Sequence, residues 1–377
     1  MSNVNNSGAI ATPPRADRDK LQAMMGRYGE TLTQGLNCAL TLIGSELGLF
    51  ADLASHGATN SSTLAQRLGL HERWLREWLR HQACMGQLEY DESTDAFALS
   101  PEGRLVFADP HSPFGAHGGL EVVVAMIGRA SSLKESFRTG VGHPYDELGH
   151  ACACGLERMR TYHKKHQLVP DVLPLMPDIL ARLEHVARIA DVGCGAGQAT
   201  LALARAFPNC HVYGYDTSQH ALTRARENLA GAPLPNVTFH DPQSEPMGLH
   251  GPFDLITTFA VLHDVADVVH DVAHPDRLIA AIHTALRDDG AWLCEDIRSF
   301  PTFAENLRGL PGVGLLYGLS INLCLASGLS EPDGMGLGTL GFNEAVAREM
   351  TPAAGFARFR TLPYDSRGNS DFYEIRK

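Results

Sequence analysis

Gly193, Gly195 and Gly197 stand two apart between an apolar run at 188–192 and a helical pattern from Ala199 to Ala206. Glycine reaches left-handed backbone conformations and lets a ligand approach main-chain N–H groups, and a helix opening directly behind such a turn adds partial positive charge. The stretch Arg188-Ile-Ala-Asp-Val-Gly-Cys-Gly-Ala-Gly-Gln198 therefore reads as a cofactor loop. About twenty residues further on, Asp216 closes a second β-rich run, His211-Val-Tyr-Gly-Tyr215, where a carboxylate can accept both hydroxyls of a ribose. The G-x-G-x-G spacing, Asp191 two positions ahead of the first glycine, and the lack of a following lysine separate this loop from dinucleotide and P-loop fingerprints.

With these features the chain resembles the class I S-adenosylmethionine-dependent methyltransferases, whose first motif reads much like Asp191-Val-Gly-Cys-Gly-Ala-Gly197. The resemblance covers roughly residues 35–377 and implies S-adenosylmethionine as cofactor. It places Asp191, Gly193, Gly195 and Gly197 at the methionine end and Asp216 on the ribose. Asp241, closing Val237-Thr-Phe-His-Asp241, falls to the adenine amino group, and Phe259 joins the cofactor contacts. Gly142-His-Pro-Tyr145 resembles a Gly-x-Pro-Tyr element of the winged-helix members, which turns Tyr145 toward the cofactor. The run Phe253-Asp-Leu-Ile-Thr-Thr-Phe-Ala-Val-Leu-His-Asp264 resembles the family's fourth strand and the turn after it, where O-methyltransferases carry a general-base His. A hydroxyl acceptor must lose a proton as its oxygen attacks the sulfonium methyl, and a neutral imidazole has a suitable pKa. His263 fills that position, with Asp264 as orienter.

A near-repeat complicates the choice. Val261-Leu-His-Asp-Val-Ala-Asp267 is followed by Val268-Val-His-Asp-Val-Ala-His274, so counting back from the next helix selects His270 as base instead. His270 and His274 also have the i, i+4 spacing of a helical metal site, but no third ligand follows, and a solvated helix face is the simpler reading. Cys152-Ala-Cys154 beside His150 lacks a second pair at ligand spacing, and no metal is expected. Glu295 and Asp296 close the fifth strand at the mouth of the sheet, where one of them can contact substrate or pair with the His. Beyond them, Glu305-Asn306 and Tyr317–Ala326 resemble the insertion that lines the family's acceptor pocket. Asn322-Leu-Cys324 departs from the family's His-Cys-Met-like triplet there, and Asn322 is the candidate substrate contact.

These residues need a sheet to hold them. Apolar runs at 188–192, 211–215, 237–239, 253–258 and 291–296 alternate with helical patterns, and an antiparallel pair follows near 356–362 and 371–376. The fold class is α/β: a doubly wound, seven-stranded Rossmann-like methyltransferase sheet behind a mainly α winged-helix dimerisation domain. Residues 21–53 are broadly apolar at helical spacing. Leu64–Leu68 and Gly69–Arg80 form a helix-turn-helix, and Gly86–Tyr90 with Ala96–Leu99 form a wing. The expected divisions are a disordered tail over 1–20, the winged helix over 21–103, a helical linker and active-site roof over 104–186, and the cofactor-binding domain over 187–377.

Composition narrows the partners. A net charge of −12 gives little attraction to phosphate backbones, and the would-be recognition helix alternates Arg with Glu, so nucleic acid is not an expected partner. Eight scattered cysteines suit reduced thiols in a cytoplasm, and residues 1–20 hold neither a signal-peptide core nor an apolar run long enough to span a bilayer, so no membrane partner is expected. The expected partners are a small-molecule methyl acceptor and a second copy of the chain. Two rival functions use the same residues: a ligand-responsive regulator with its winged helix on DNA, and an S-adenosylmethionine-using enzyme whose reaction is not methylation.

Overall fold

The computed structural model describes residues 16–264, 274–331, 333–366 and 370–377, and the chain divides into two compact units between Ala98 and Leu99. In the first, helix α1 (Arg18–Glu46) starts at Asp17, whose carboxylate accepts from the N–H groups of Asp19 and Lys20 at 3.0 and 3.2 Å. The expected helix through Leu53 breaks at Gly48, which takes φ 72°, and α2 (Leu49–His56) departs at 63°. Helix α3 (Ser61–Leu68) is capped by Asn60, and α4 (Glu72–Cys84) follows the left-handed turn at Gly69. Leu75, Trp78 and Leu79 of α4 are buried, and the Trp78 indole donates to Leu40 O at 2.8 Å while meeting Phe50 edge-on. The wing is β1 (Glu89–Asp91) paired antiparallel with β2 (Ala96–Ala98). Leu21, Met24, Met25, Tyr28, Leu32 and Leu36 fall on one face of α1 and are all exposed.

The second unit is built on the seven-stranded sheet expected from the sequence. Its strands are β3 (Arg188–Val192), β4 (His211–Tyr215), β5 (Val237–His240), β6 (Phe253–Phe259), β7 (Leu286–Ile297), β8 (Arg358–Thr361) and β9 (Ser370–Arg376). Their order is β5-β4-β3-β6-β7-β9-β8, with β3 to β7 parallel and β9 antiparallel to both neighbours. All seven residues of β6 are buried, as a central strand covered on both faces requires. Ile189, Leu255 and Leu293 face one hydrophobic layer, and Ala190, Ile256 and Trp292 face the other. β7 begins five residues earlier than its apolar pattern, because polar Arg287-Asp-Asp289 continues the strand while staying exposed.

Helices of this unit include α5 (His117–Arg129), α6 (Gly149–His166), α7 (Gln198–Ala206), α8 (Gln219–Gly231), α9 (Pro275–Ala285), α10 (Val313–Gly328) and α11 (Glu344–Ala353). α10 contains a widened turn at Ser320–Cys324. Among the described residues, no single helix is long and apolar enough to cross a membrane. All eight cysteines are free thiols. Strand β3 lies between β4 and β6, so connections leave it in opposite directions and open a crevice beyond the strands' C-terminal ends.

Candidate active site

The glycine loop sits at that crevice. Gly193, Gly195 and Gly197 take φ of 67°, 55° and 76°, a region disfavoured for residues with a Cβ. At Gly193 space is short as well, since a Cβ would stand 2.4 Å from Val261 Cγ2. The Cys194 N–H donates to Tyr215 O at 2.9 Å, pinning the loop to β4, and the Gly195 N–H donates to Asp216 Oδ2 at 2.7 Å. Asp216 Oδ1 accepts from the Ser218 N–H at 2.9 Å. Burial outweighs these two donors and pushes the Asp216 carboxyl up to about 6. Asp191, fully buried on β3, accepts from the hydroxyls of Thr200 at 2.6 Å and Thr257 at 2.9 Å. Burial raises its pKa too, and the hydroxyls oppose the rise.

Helix α6 roofs the crevice. Ala153, Leu156, Glu157, Arg160 and Lys164 recur at helical spacing and line a cleft of about 1130 Å³, its open mouth included. Glu157 ties the roof down, accepting from Gln198 at 2.5 Å, Asn228 at 2.8 Å and Arg224 at 2.9 Å. Arg160 donates to Phe259 O at 3.3 Å. Lys164 is buried in an ion pair with Glu295, its ammonium 3.4 Å from the centre of the Phe259 ring. Burial draws Lys164 down to about 8 against the pull of Glu295. Tyr145 enters the cleft because the turn before it docks on α10. Gly142 donates to Leu329 O at 2.6 Å and His143 to Ala326 O at 2.9 Å, and a Cβ on Gly142 would fall 1.9 Å from Ala326 O. Loss of water raises the Tyr145 phenol well above its ordinary range.

At the far side of the cleft the chain leaves β6 through Ala260, a non-glycine residue at φ 54°, whose N–H donates to Glu295 O at 2.8 Å. That turn delivers His263, buried, with Nδ1 2.5 Å from Asp296 Oδ1 at the end of β7. Burial alone would lower the imidazole, but the Asp296 carboxylate prevails and raises it well above its usual value. The Cys324 sulfur stands within 4.8 Å of a nitrogen of the same ring. Asp264 is pushed up to about 6 by burial. Asp264 Oδ1, Asp296 Oδ2 and Thr339 Oγ1 are buried with no hydrogen-bond partner among the described residues.

Comparison with known proteins accounts for both units. Residues 184–312 match the family described as "Methyltransferase domain", and residues 36–108 match the "Rv2258c-like winged HTH domain". Residues 184–312 are a methyltransferase domain, and a winged helix precedes them in the chain. The release factor glutamine methyltransferase of Deinococcus radiodurans is 37% identical over 158 residues, 36% of this chain and 55% of the relative, so the chain spans about half that relative's length. Among solved structures, mitomycin 7-O-methyltransferase aligns with a TM-score of 0.65 at 20% identity, covering 96% of this chain and 100% of the other. Human N-acetylserotonin methyltransferase, solved with SAM, aligns at 0.65 and 16% identity, covering 97% and 99%. At those identities the likeness is one of fold.

Within the second unit, the cleft gathers Tyr145, Asp191, Gly193, Gly195, Asp216, Phe259, His263 and Asp264. Gly197 instead caps α7, with Phe239 Cζ 2.5 Å from where its Cβ would be. Asp241 accepts from the Gln219 amide at 2.8 Å and is not a lining residue. Glu295 is taken up by Lys164 and borders an adjoining cavity. The Asn322 amide donates to Gly318 O at 2.8 Å, and the residue borders a third, smaller cavity under α5. The carboxylate bonded to the His263 ring is Asp296 rather than Asp264. His270 lies outside the described residues, and His274 meets Asp333 at 3.4 Å. Arg160, Lys164 and Glu157 went unnoticed in the sequence, although the spacing 153, 156, 157, 160, 164 could have revealed a single helix face.

Proposed function

We propose that the chain transfers a methyl group from S-adenosylmethionine to a small-molecule acceptor, a hydroxyl or thiol compound, and that His263 takes the proton of a hydroxyl acceptor. The observation that carries this reading is a convergence in one cleft: the glycine turn at Gly193 and Gly195, the Asp216 carboxylate, and an imidazole held by Asp296. The residues fit the cofactor. Gly193 leaves backbone where any side chain would strike Val261, and Asp216 stands at the loop to accept ribose hydroxyls. Arg160 has donors beyond the one given to Phe259 O, and these suit the methionine carboxylate. When bound, S-adenosylmethionine supplies an electrophilic methyl on a cationic sulfur.

The chain's own residues position the acceptor, exclude water and move the proton. Because His263 Nδ1 is engaged by Asp296, the proton is taken at Nε2, and Asp296 stabilises the imidazolium that forms. A thiolate acceptor needs no base. The chain acts as a homodimer through the exposed stripe of α1, and its free thiols suit the reducing cytoplasm.

The test is an acceptor screen that detects S-adenosylhomocysteine and product mass for wild type, His263→Ala and His270→Ala. With a hydroxyl acceptor, His263→Ala should lose roughly 10²–10⁴-fold in rate and His270→Ala should lose little. Equal rates in all three would remove the base while leaving methyl transfer. Turnover without a methyl gained by the acceptor would remove methyl transfer.

A further inference from the structure

Away from the cleft, the β4–β5 edge of the sheet carries a group of imidazoles that the methyl-transfer reading does not use. His240 closes β5, and the loop that follows returns to the same sheet face, bringing Glu245 and then His250 against it. One ligand atom from each of the three lies within 4.8 Å of the other two. His240 Nδ1 is 2.7 Å and His250 Nε2 is 4.0 Å from the same oxygen, Glu245 Oε2, and the two rings stand 4.5 Å apart. We propose that His240, Glu245 and His250 form a binding site for a divalent cation of the zinc class.

The outer contacts are those of a metal site. Each imidazole has its far nitrogen anchored by a hydroxyl: His240 Nε2 is 2.8 Å from Thr238 Oγ1, and His250 Nδ1 is 2.9 Å from Tyr215 Oη. Such second contacts set the ring orientation and leave the near nitrogen to the ion. Tyr213 stacks on both rings from beneath, and His240 is buried while Glu245 is exposed, so the ion would be cradled on one side and open to water on the other. Three donors at about 2.0–2.2 Å from a tetrahedral ion stand roughly 3.3 Å apart. The observed 2.7 and 4.0 Å bracket that spacing, and a sub-ångström swing of the exposed Glu245 carboxylate equalises them. Two imidazoles and one carboxylate suit Zn²⁺ or Co²⁺ rather than Mg²⁺ or Ca²⁺, and the open face leaves the remaining position to water. The three ligands lie at even spacing in His240-Asp-Pro-Gln-Ser-Glu245-Pro-Met-Gly-Leu-His250. A bound ion would therefore close that loop onto β4 and β5.

The probe is Co²⁺, whose visible bands report its coordination. The full-length protein should take up one Co²⁺ at this site with nitrogen and oxygen bands and no thiolate charge-transfer band. Glu245→Gln and His250→Gln should each weaken that uptake by at least about 100-fold, and Tyr215→Phe by about 10-fold, while His274→Gln leaves it unchanged. Zn²⁺ should raise the thermal midpoint of wild type and not of Glu245→Gln. Glu245 is exposed, so its variant keeps the test valid even if His250→Gln fails to fold. No cobalt uptake by wild type, or the same uptake and spectrum in Glu245→Gln, would overturn the proposal and leave a hydrogen-bonded His–Glu pair.

Discussion

Asp216, Asp264 and His263 in the cleft are each held above their usual titration ranges, and each shift has a consequence in solution. Burial raises Asp216 to about 6. Ribose hydroxyls need the ionised carboxylate as acceptor, so affinity for S-adenosylmethionine should hold above that pH and fall about tenfold per unit below it. Calorimetric titration across that range checks this, and Asp216→Asn should bind about 10–100-fold more weakly with no such pH dependence. Asp264 is raised to the same value. A carboxyl raised on folding stabilises the fold below its unfolded value of about 3.9, and that contribution is lost as pH rises to about 6. His263 has the same sign at higher pH: its pairing with Asp296 stabilises the fold below about 6.5 and fades as pH climbs through the raised folded value. The rate with a hydroxyl acceptor should therefore climb with pH as the imidazole is freed of its proton. Asp296→Asn should move that limb toward lower pH and also lower the plateau, which a pH–rate profile of kcat would resolve.

The element that decides most is α6. It brings Glu157, Arg160 and Lys164 over the glycine loop, and its end is fastened to the sheet by the buried Lys164–Glu295 pair. Removing one member leaves the other charge unpaired in low dielectric. Lys164→Met should thus destabilise the unit by about 3–5 kcal/mol, whereas Lys164→Met with Glu295→Gln should recover most of that loss, as urea titration would show. The glycine turn is equally unforgiving. Gly193→Ala meets both a left-handed backbone and Val261, so cofactor binding should fall sharply, with the effect eased by Val261→Ala.

For the molecule as a whole, surface character sets the partners. Leu32 and Leu36 are 54% and 66% exposed, in a stripe that continues from Leu21 through Tyr28, and a second copy of α1 would cover it. Light scattering should find a dimer, and Leu32→Glu with Leu36→Glu should shift it to monomers. The net charge of −12 predicts no salt-sensitive retention of duplex DNA, the behaviour that a winged-helix regulator would require.

The sheet, the glycine turn and the acid that closes β4 are all legible in the order of residues. Those features depend on local periodicity and on backbone conformations that only glycine adopts readily, and both are visible in one dimension. Which carboxylate holds His263 is settled by folding instead. Asp264 is adjacent in the chain, but Asp296 is adjacent in the sheet, because β6 and β7 run parallel and end side by side. The same holds for Glu295, whose side chain is committed to Lys164 once α6 has packed on the sheet. Pairings between distant elements leave no periodic trace in a single chain. The partner of a buried charge is therefore fixed by packing, while the glycine turn is written in the residues themselves.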